Sequence, residues 1–534
     1  MYFAFKRSKS KIYVLYGFLI VSLYLRGWSV HYLGEHEIFT NDIVKKILEK
    51  TRVLWALNHA SSLMDWDLRV NMPKEGVIER SIAKSEISAL MRDLTLDERL
   101  IRLVERAEDE IDELNDYERG LIRVLKRKIR IAKALPLELV REYNRIVSEA
   151  GIRWEEAKDR DNYDLFKPYL DRIVELSRRI ADCLGYDEHP YDALLDLKDE
   201  GFRTRDIDGM FDVLEPEIRN MLDEIMSRGY YPAKHELEEV KYDVKAMTEL
   251  NREILKVLGY PLGSRGRLDV SAHPFTSGIG IRDARITTRY EGYDFQSSLF
   301  AVIHEFGHAL YTLQIDERLM TTPLAVGVSS GVHESQSRFW ENIIGRSRVF
   351  VEAIYPILAR HLKFVKEYTP EDIYLYFNTV RPSLIRVDAD EVTYNLHILL
   401  RFKLEKLMVA GEVNVDDLPE LWNNEMERLL GIRPKSYRDG LLQDVHWSIG
   451  LAVFPAYTIG NVIAAQIKHH IEREFRGFYE YISKLNLKPI REYLREKVHR
   501  WGSTYPPKEL IRRSFGEEID PSYFLGYIRE KYLG

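Results

Sequence analysis

The chain has 534 residues, 45% hydrophobic and 31% charged, with a formal net charge of −7. That length and apolar share suit a large globular core, and the near balance of acids and bases leaves no electrostatic footprint for nucleic acid. The single cysteine, Cys183, excludes an intramolecular disulfide and a cysteine-rich metal site.

The N-terminus reads apart from the rest. Lys6, Arg7, Lys9 and Lys11 precede an uncharged, mostly apolar run from Ile12 to Leu25, as in a secretory signal or an uncleaved anchor. The run is shorter than the roughly 20 residues that span a bilayer, and Arg26-Gly27-Trp28-Ser29 offers no small-x-small cleavage pattern. A start codon assigned too early is the third reading. Residues 1–35 are therefore read as an extension, and 36–534 as a single helical domain, cytoplasmic unless the extension anchors it.

Helix signals dominate the remainder of the chain. Pro73 and Gly76 break a first helical hairpin. Leu114–Ala134 carries the stripe Leu121, Ile122, Leu125, Ile129 and Ile131 among many basic residues and stops near Leu135-Pro136. Another break falls at Gly185 to Pro190. Gly278 to Tyr290 alternates small or apolar with polar residues, a strand or hairpin, and such a strand can pair with an extended peptide through its backbone. Thr369-Pro370-Glu371-Asp372 opens a helix with a cap, a first-turn proline and acids at the positive end. Tyr394–Met408 and Val462–Phe475 are helical in pattern. The expected fold is mainly α with a small sheet, the helices before residue 150 covering a groove.

The chemistry concentrates at His304-Glu305-Phe306-Gly307-His308, within the apolar stretch Leu299–Leu313. Residues four apart share a helix face, so both imidazoles can grip one metal ion with Glu305 beside them as general base. A hydrolytic zinc commonly takes three protein ligands. Candidates for the third are His333, Glu334, His397, His446 and several carboxylates. Glu334 follows His308 by 26 residues, an interval that fits a turn and a returning helix; His333, its neighbour, would face elsewhere.

Further segments accompany these. They are His273-Pro274-Phe275, Asp283-Ala284-Arg285-Ile286-Thr287, His333-Glu334-Ser335-Gln336-Ser337-Arg338, Ile385-Arg386-Val387-Asp388-Ala389-Asp390, and Gly440-Leu441-Leu442-Gln443-Asp444-Val445-His446-Trp447. With the His-Glu-Phe-Gly-His segment they resemble, in order, the six signature motifs of the carboxypeptidase Taq family of metallocarboxypeptidases, a likeness running from about Thr51 to the C-terminus. The resemblance implies a mostly helical, deeply grooved fold akin to neurolysin and angiotensin-converting enzyme, often dimeric. It also implies a zinc or cobalt ion and removal of C-terminal residues with broad preference.

On that resemblance His304, His308 and Glu334 hold one divalent metal per chain, zinc before cobalt, and Glu305 activates the attacking water. His446 and Tyr457 are the candidate donors to the tetrahedral oxyanion, since resembling helical peptidases place a His and a Tyr here. An exopeptidase must also hold a free carboxylate, which suits a planar guanidinium. Arg386 is the first candidate and Arg285 the second, each with an ion pair to Asp388, Asp390 or Asp283 as the plainer role. His273 either binds substrate or supports the strand. Asp390 and Gln443 are expected to orient the ligands, while Trp55, Asp65, Trp66 and Asp67 read as an apolar helix with acidic ends. The expected function is peptide hydrolysis at the C-terminus, by a homodimer. An oligoendopeptidase or dipeptidyl carboxypeptidase on the same scaffold, and a non-catalytic peptide-binding scaffold, are the alternatives.

Overall fold

The structure, a computed structural model, describes residues 37–534; the extension 1–35 lies outside them. Two N-terminal helices, α1 (Asp42–Val70) and α2 (Val77–Thr95), form the expected hairpin around the short turn Lys74–Gly76. The Asn41 side chain accepts from the Ile43 and Val44 amides and so caps α1. Asp67 and Asp65 of α1 pair with Arg80 and Lys84 of α2, which explains the acidic helix end without catalysis. Helix α3 (Asp116–Ala134) starts with a capping box between Asn115 and Glu118 and stops before Pro136; α4 (Leu137–Asp159) follows. Glu118 also accepts from the Thr40 and Asn41 amides, tying the starts of α1 and α3 together.

A small core seats this helical wall on the body: Ile43 and Ile47 of α1 and Leu121 and Leu125 of α3 pack with Ile281, Leu319 and Leu324. The main core runs through the rest of the chain. Between wall and body lies a groove of about 1310 Å³, the cover expected of the helices before residue 150.

The body side of the groove carries a three-stranded sheet, β1 (Gly266–Val270), β2 (Thr276–Gly280) and β3 (Asp283–Thr288), in the order β1-β3-β2. Strands β2 and β3 are the expected hairpin, antiparallel with Thr276 opposite Ile286. Strand β1, parallel to β3 with Gly266 opposite Ala284, has no signal of its own; it is short and stabilised only by its partner. In this order β2 is an edge strand, and it borders the groove.

Further helices assemble beside it. Helix α5 (Phe295–Leu313) is buried along most of its length, as its continuous apolar sequence requires. Helix α6 (Ser330–Arg338) runs on into a π-helical segment, Phe339–Gly345. Helix α7 (Tyr394–Ala410) matches expectation, whereas α8 (Pro455–Glu474) begins at Pro455 and not at Val462. Proline suits the first turn, and Thr458 and Gly460 hide the helical pattern there. No helix among the described residues is long and apolar enough to cross a membrane.

Candidate active site

Glycines let helices α5, α6 and α8 approach one another. A Cβ on Gly307 would lie 2.5 Å from the Gln336 carbonyl oxygen and the Ser337 Cα, so only glycine allows α5 to touch the α6 backbone here. A Cβ on Gly460 would lie 2.6 Å from the Glu334 Cγ, which is why α8 can lie against that side chain. The start of α6 is held by Ser329 Oγ, which accepts from the Val332 amide, and by buried Asp199, which accepts from the Gly331 amide at 2.7 Å.

This packing brings the Nε2 atoms of His304 and His308 to 3.8 and 3.4 Å from Glu334 Oε2, and all three donor atoms fall within 4.8 Å of one another. A tetrahedral ion about 2.1 Å from each ligand needs them about 3.4 Å apart, so the donor set fits a divalent metal in spacing and in chemistry. The outward nitrogens are engaged as such a site requires. His304 Nδ1 is 2.8 Å from Glu341 Oε2, and His308 Nδ1 is 3.2 Å from His333 Nδ1. His333 therefore does not face elsewhere, as expected from its place beside Glu334; it sits against the far side of His308. Of the other candidate ligands, His397 is fully buried beside Arg401, away from this triangle.

Arg338 organises the carboxylates. Its Nε donates to Glu334 Oε1 at 2.7 Å and one terminal nitrogen approaches Glu341 Oε2 at 3.4 Å, leaving Glu334 Oε2 towards the histidines. Burial would raise the Glu334 pKa, but Arg338 and then His304 hold it well below the usual carboxylate range. Burial works against a charge on His304; the Glu334 and Glu341 carboxylates outweigh it and push its pKa up to about 9. Sequence reasoning misses Glu341 and Arg338. They lie seven and four residues after Glu334, on one helix face, and that spacing is the signal that points to them.

Glu305 is 7% exposed and fixed by Thr276 of the edge strand, whose hydroxyl donates to Glu305 Oε2 at 2.6 Å. Glu305, His304, His308, Glu334 and Tyr457 all border the groove. Tyr457 OH and His446 Nε2 are 2.9 Å apart, so these two candidates are brought together and Tyr457 faces the site. Burial, then Arg386, pushes the His446 pKa down to about 3, leaving a neutral imidazole.

The candidate carboxylate receptors are placed differently. Arg386 is 5% exposed; its Nε and one terminal nitrogen donate to Asp444 and the other donates to Tyr394 OH at 2.7 Å. Its partner is thus Asp444, shared with Arg401, and not Asp388 or Asp390. Gln443 accepts from the Arg386 amide and from Arg401, while Asp390 accepts from the amides of Arg381, Val392 and Thr393. Both act on the backbone and the arginines and not on the metal-facing side chains. Arg285 is paired in bidentate fashion with Asp283. His273 is exposed in the β1–β2 loop, beside Pro274 and Phe275, which border the groove.

Known proteins share this arrangement of chain. The chain is 56% identical to thermostable carboxypeptidase 1 of Pyrococcus furiosus over 498 residues, covering 93% of this chain and 100% of that protein. It is 36% identical to carboxypeptidase 1 of Bacillus subtilis over 501 residues, covering 93% of this chain and 98% of the relative. Among solved structures, the Pyrococcus furiosus carboxypeptidase superposes with a TM-score of 0.91 at 56% identity, over 93% of this chain and 100% of that one. Trypanosoma cruzi metallocarboxypeptidase 1 does so with 0.88 at 31% identity, over 93% and 100%. The profile of the carboxypeptidase Taq (M32) metallopeptidases matches residues 46–532, and the chain belongs to that family.

Proposed function

We propose that the protein releases the C-terminal residue of peptides, with His304, His308 and Glu334 holding one divalent metal, zinc before cobalt. The observation that carries this reading is the triangle of donor atoms with the Glu305 carboxylate beside it on the same groove. When bound, such an ion supplies Lewis-acid polarisation of the scissile carbonyl and of a water. Glu305 takes the proton from the attacking water and passes it to the leaving amine; Thr276 keeps one of its oxygens in place. Tyr457 donates its phenolic hydrogen to the developing oxyanion. With Nε2 protonated, His446 donates to the Tyr457 oxygen and so leaves that hydrogen free. Arg386 acts through Asp444 and the Tyr457 ring, whose centroid is 5.2 Å from its guanidinium carbon; we read it as a positioning residue.

The substrate backbone pairs with the open edge of β2, as an added strand would. The names of the relatives support removal of a terminal residue. An endopeptidase on this scaffold would differ only in how the substrate's end is held. Digestion of one peptide as free acid and as amide, with products identified by mass, separates the two. Release of a single C-terminal residue from the acid, with little turnover of the amide, is expected; internal cleavage of both would overturn the reading. The same kinship is the ground for proposing a homodimer, which sedimentation equilibrium measures directly.

A further inference from the structure

The groove is far larger than one residue needs. If the enzyme removes a single residue, only that residue lies on the leaving side, so the long compartment walled by α1 to α4 takes the upstream part of the peptide. This step rests on the proposed release of one C-terminal residue.

The charges bordering that compartment are almost all satisfied. Among the carboxylates, Asp283 is held by Arg285, Glu305 by Thr276 and Glu334 by Arg338. Among the cations, Arg282 pairs with Glu317, Arg141 with Glu138, and Arg92 donates to the Leu135 carbonyl at 2.8 Å. Lys128 on α3 differs: it borders the groove with its side chain open to the groove water, and no side chain or carbonyl among the described residues pairs with its ammonium. The neighbouring cations of the same helix are paired away from the groove, Lys126 with Glu108, Arg127 and Arg130 with Asp196. Of this basic run, Lys128 is the member directed into the substrate compartment. It lies among Leu125, Ile131 and Ala132.

In the open groove, water solvates this ammonium; a peptide that fills the groove displaces that water and would leave the charge without a counter-ion, which is costly. A carboxylate arriving with the substrate offsets that cost and gains a charge-assisted hydrogen bond in a poorly solvated site. We propose that Lys128 is a specificity residue: it receives an aspartate or glutamate side chain carried by the peptide upstream of the cleaved bond. The C-terminal residue itself can remain loosely selected, since the selection happens elsewhere along the groove. The attraction is local, between one ammonium and one carboxylate, so the preference should be sharpest at low ionic strength and decline with salt only in part, because the groove walls limit screening.

Hexapeptides sharing one C-terminal residue, with glutamate or glutamine placed in turn at each upstream position, test this on the metal-loaded enzyme. The expected result is a kcat/KM ratio of glutamate to glutamine of roughly tenfold at one position, about 1.4 kcal/mol, and near unity at the others. Lys128→Met keeps the apolar stem and should bring that ratio to one, without loss of Tm and with little change on the glutamine peptides. Lys128→Glu should reverse the preference in favour of a lysine at the same position. A ratio near one at every position in the native enzyme, or a ratio that survives Lys128→Met, would overturn the proposal. So would a discrimination that appears only at the C-terminal residue, which would place Lys128 on the leaving side. Absence of any C-terminal release from these free acids would instead refute the function on which the proposal rests.

Discussion

Glu341→Gln probes the least expected part of the site. Glu341 Oε2 accepts from His304 Nδ1 at 2.8 Å inside a buried cluster. Glutamine keeps the length and can still accept this hydrogen bond, so the imidazole stays oriented. What is lost is one negative charge that makes His304 a better electron donor. Such outer partners are worth about 10–100-fold in metal affinity. The upper part of that range is expected here. Arg338 and Arg346, which approach Glu341 at 3.4 Å, lose its compensation and Arg338 remains close to Glu334. The predicted loss is therefore roughly 30–100-fold, about 2–2.7 kcal/mol. Competition with a calibrated chelator at fixed pH measures it, and kcat at saturating metal should fall only a few-fold because no group touching the substrate changes. An affinity within about twofold of the native value would refute the reasoning that the carboxylate tunes the ligand.

Glu305→Gln should retain its metal but lose at least about 10²-fold in kcat, because the base goes while the ligands stay; metal analysis beside steady-state kinetics checks both halves. Gly307→Ala should destabilise the fold by about 1–3 kcal/mol or more, since backbone atoms at 2.5 Å cannot yield; the shift in thermal midpoint reports it. Arg386→Ala leaves Asp444 to Arg401 alone and strands the Tyr394 hydroxyl. It should lower the thermal midpoint and reduce turnover of acid and amide peptides alike, whereas a selective loss on free acids would restore Arg386 as the carboxylate clamp. His446 has a folded pKa of about 3, below the value of about 6.5 for a free histidine. Unfolding therefore takes up a proton between these values, so stability falls as pH drops from about 6.5 towards 3. His446→Gln should flatten that part of the midpoint-against-pH curve.

The donor triangle is legible in the sequence because its chemistry is local: two histidines one turn apart need only a helix, and Glu334 needs only a returning chain. The β2–β3 hairpin and the capped starts of several helices are legible for the same reason, as alternation and capping chemistry act over a few residues. What escapes is set by packing between distant segments. Strand β1 exists only against β3, and His333 meets His308 because Gly307 and Gly460 let α5, α6 and α8 close up. Arg386 finds Asp444, 58 residues on, a partner that no local pattern could choose over Asp388. Glu341 is within reach of the sequence: a metal-binding histidine needs an acceptor on its other nitrogen, and Glu341 lies two turns after Glu334 on the same face.

Stoichiometric metal return is the most direct measurement. Metal is stripped from the protein and from Glu334→Ala, then titrated back while released C-terminal amino acid is counted from a free-acid peptide. Native activity should rise linearly and saturate at one ion per chain, and Glu334→Ala should neither hold the ion nor recover. Full activity in the stripped protein, or recovery of Glu334→Ala at the same stoichiometry, would contradict it.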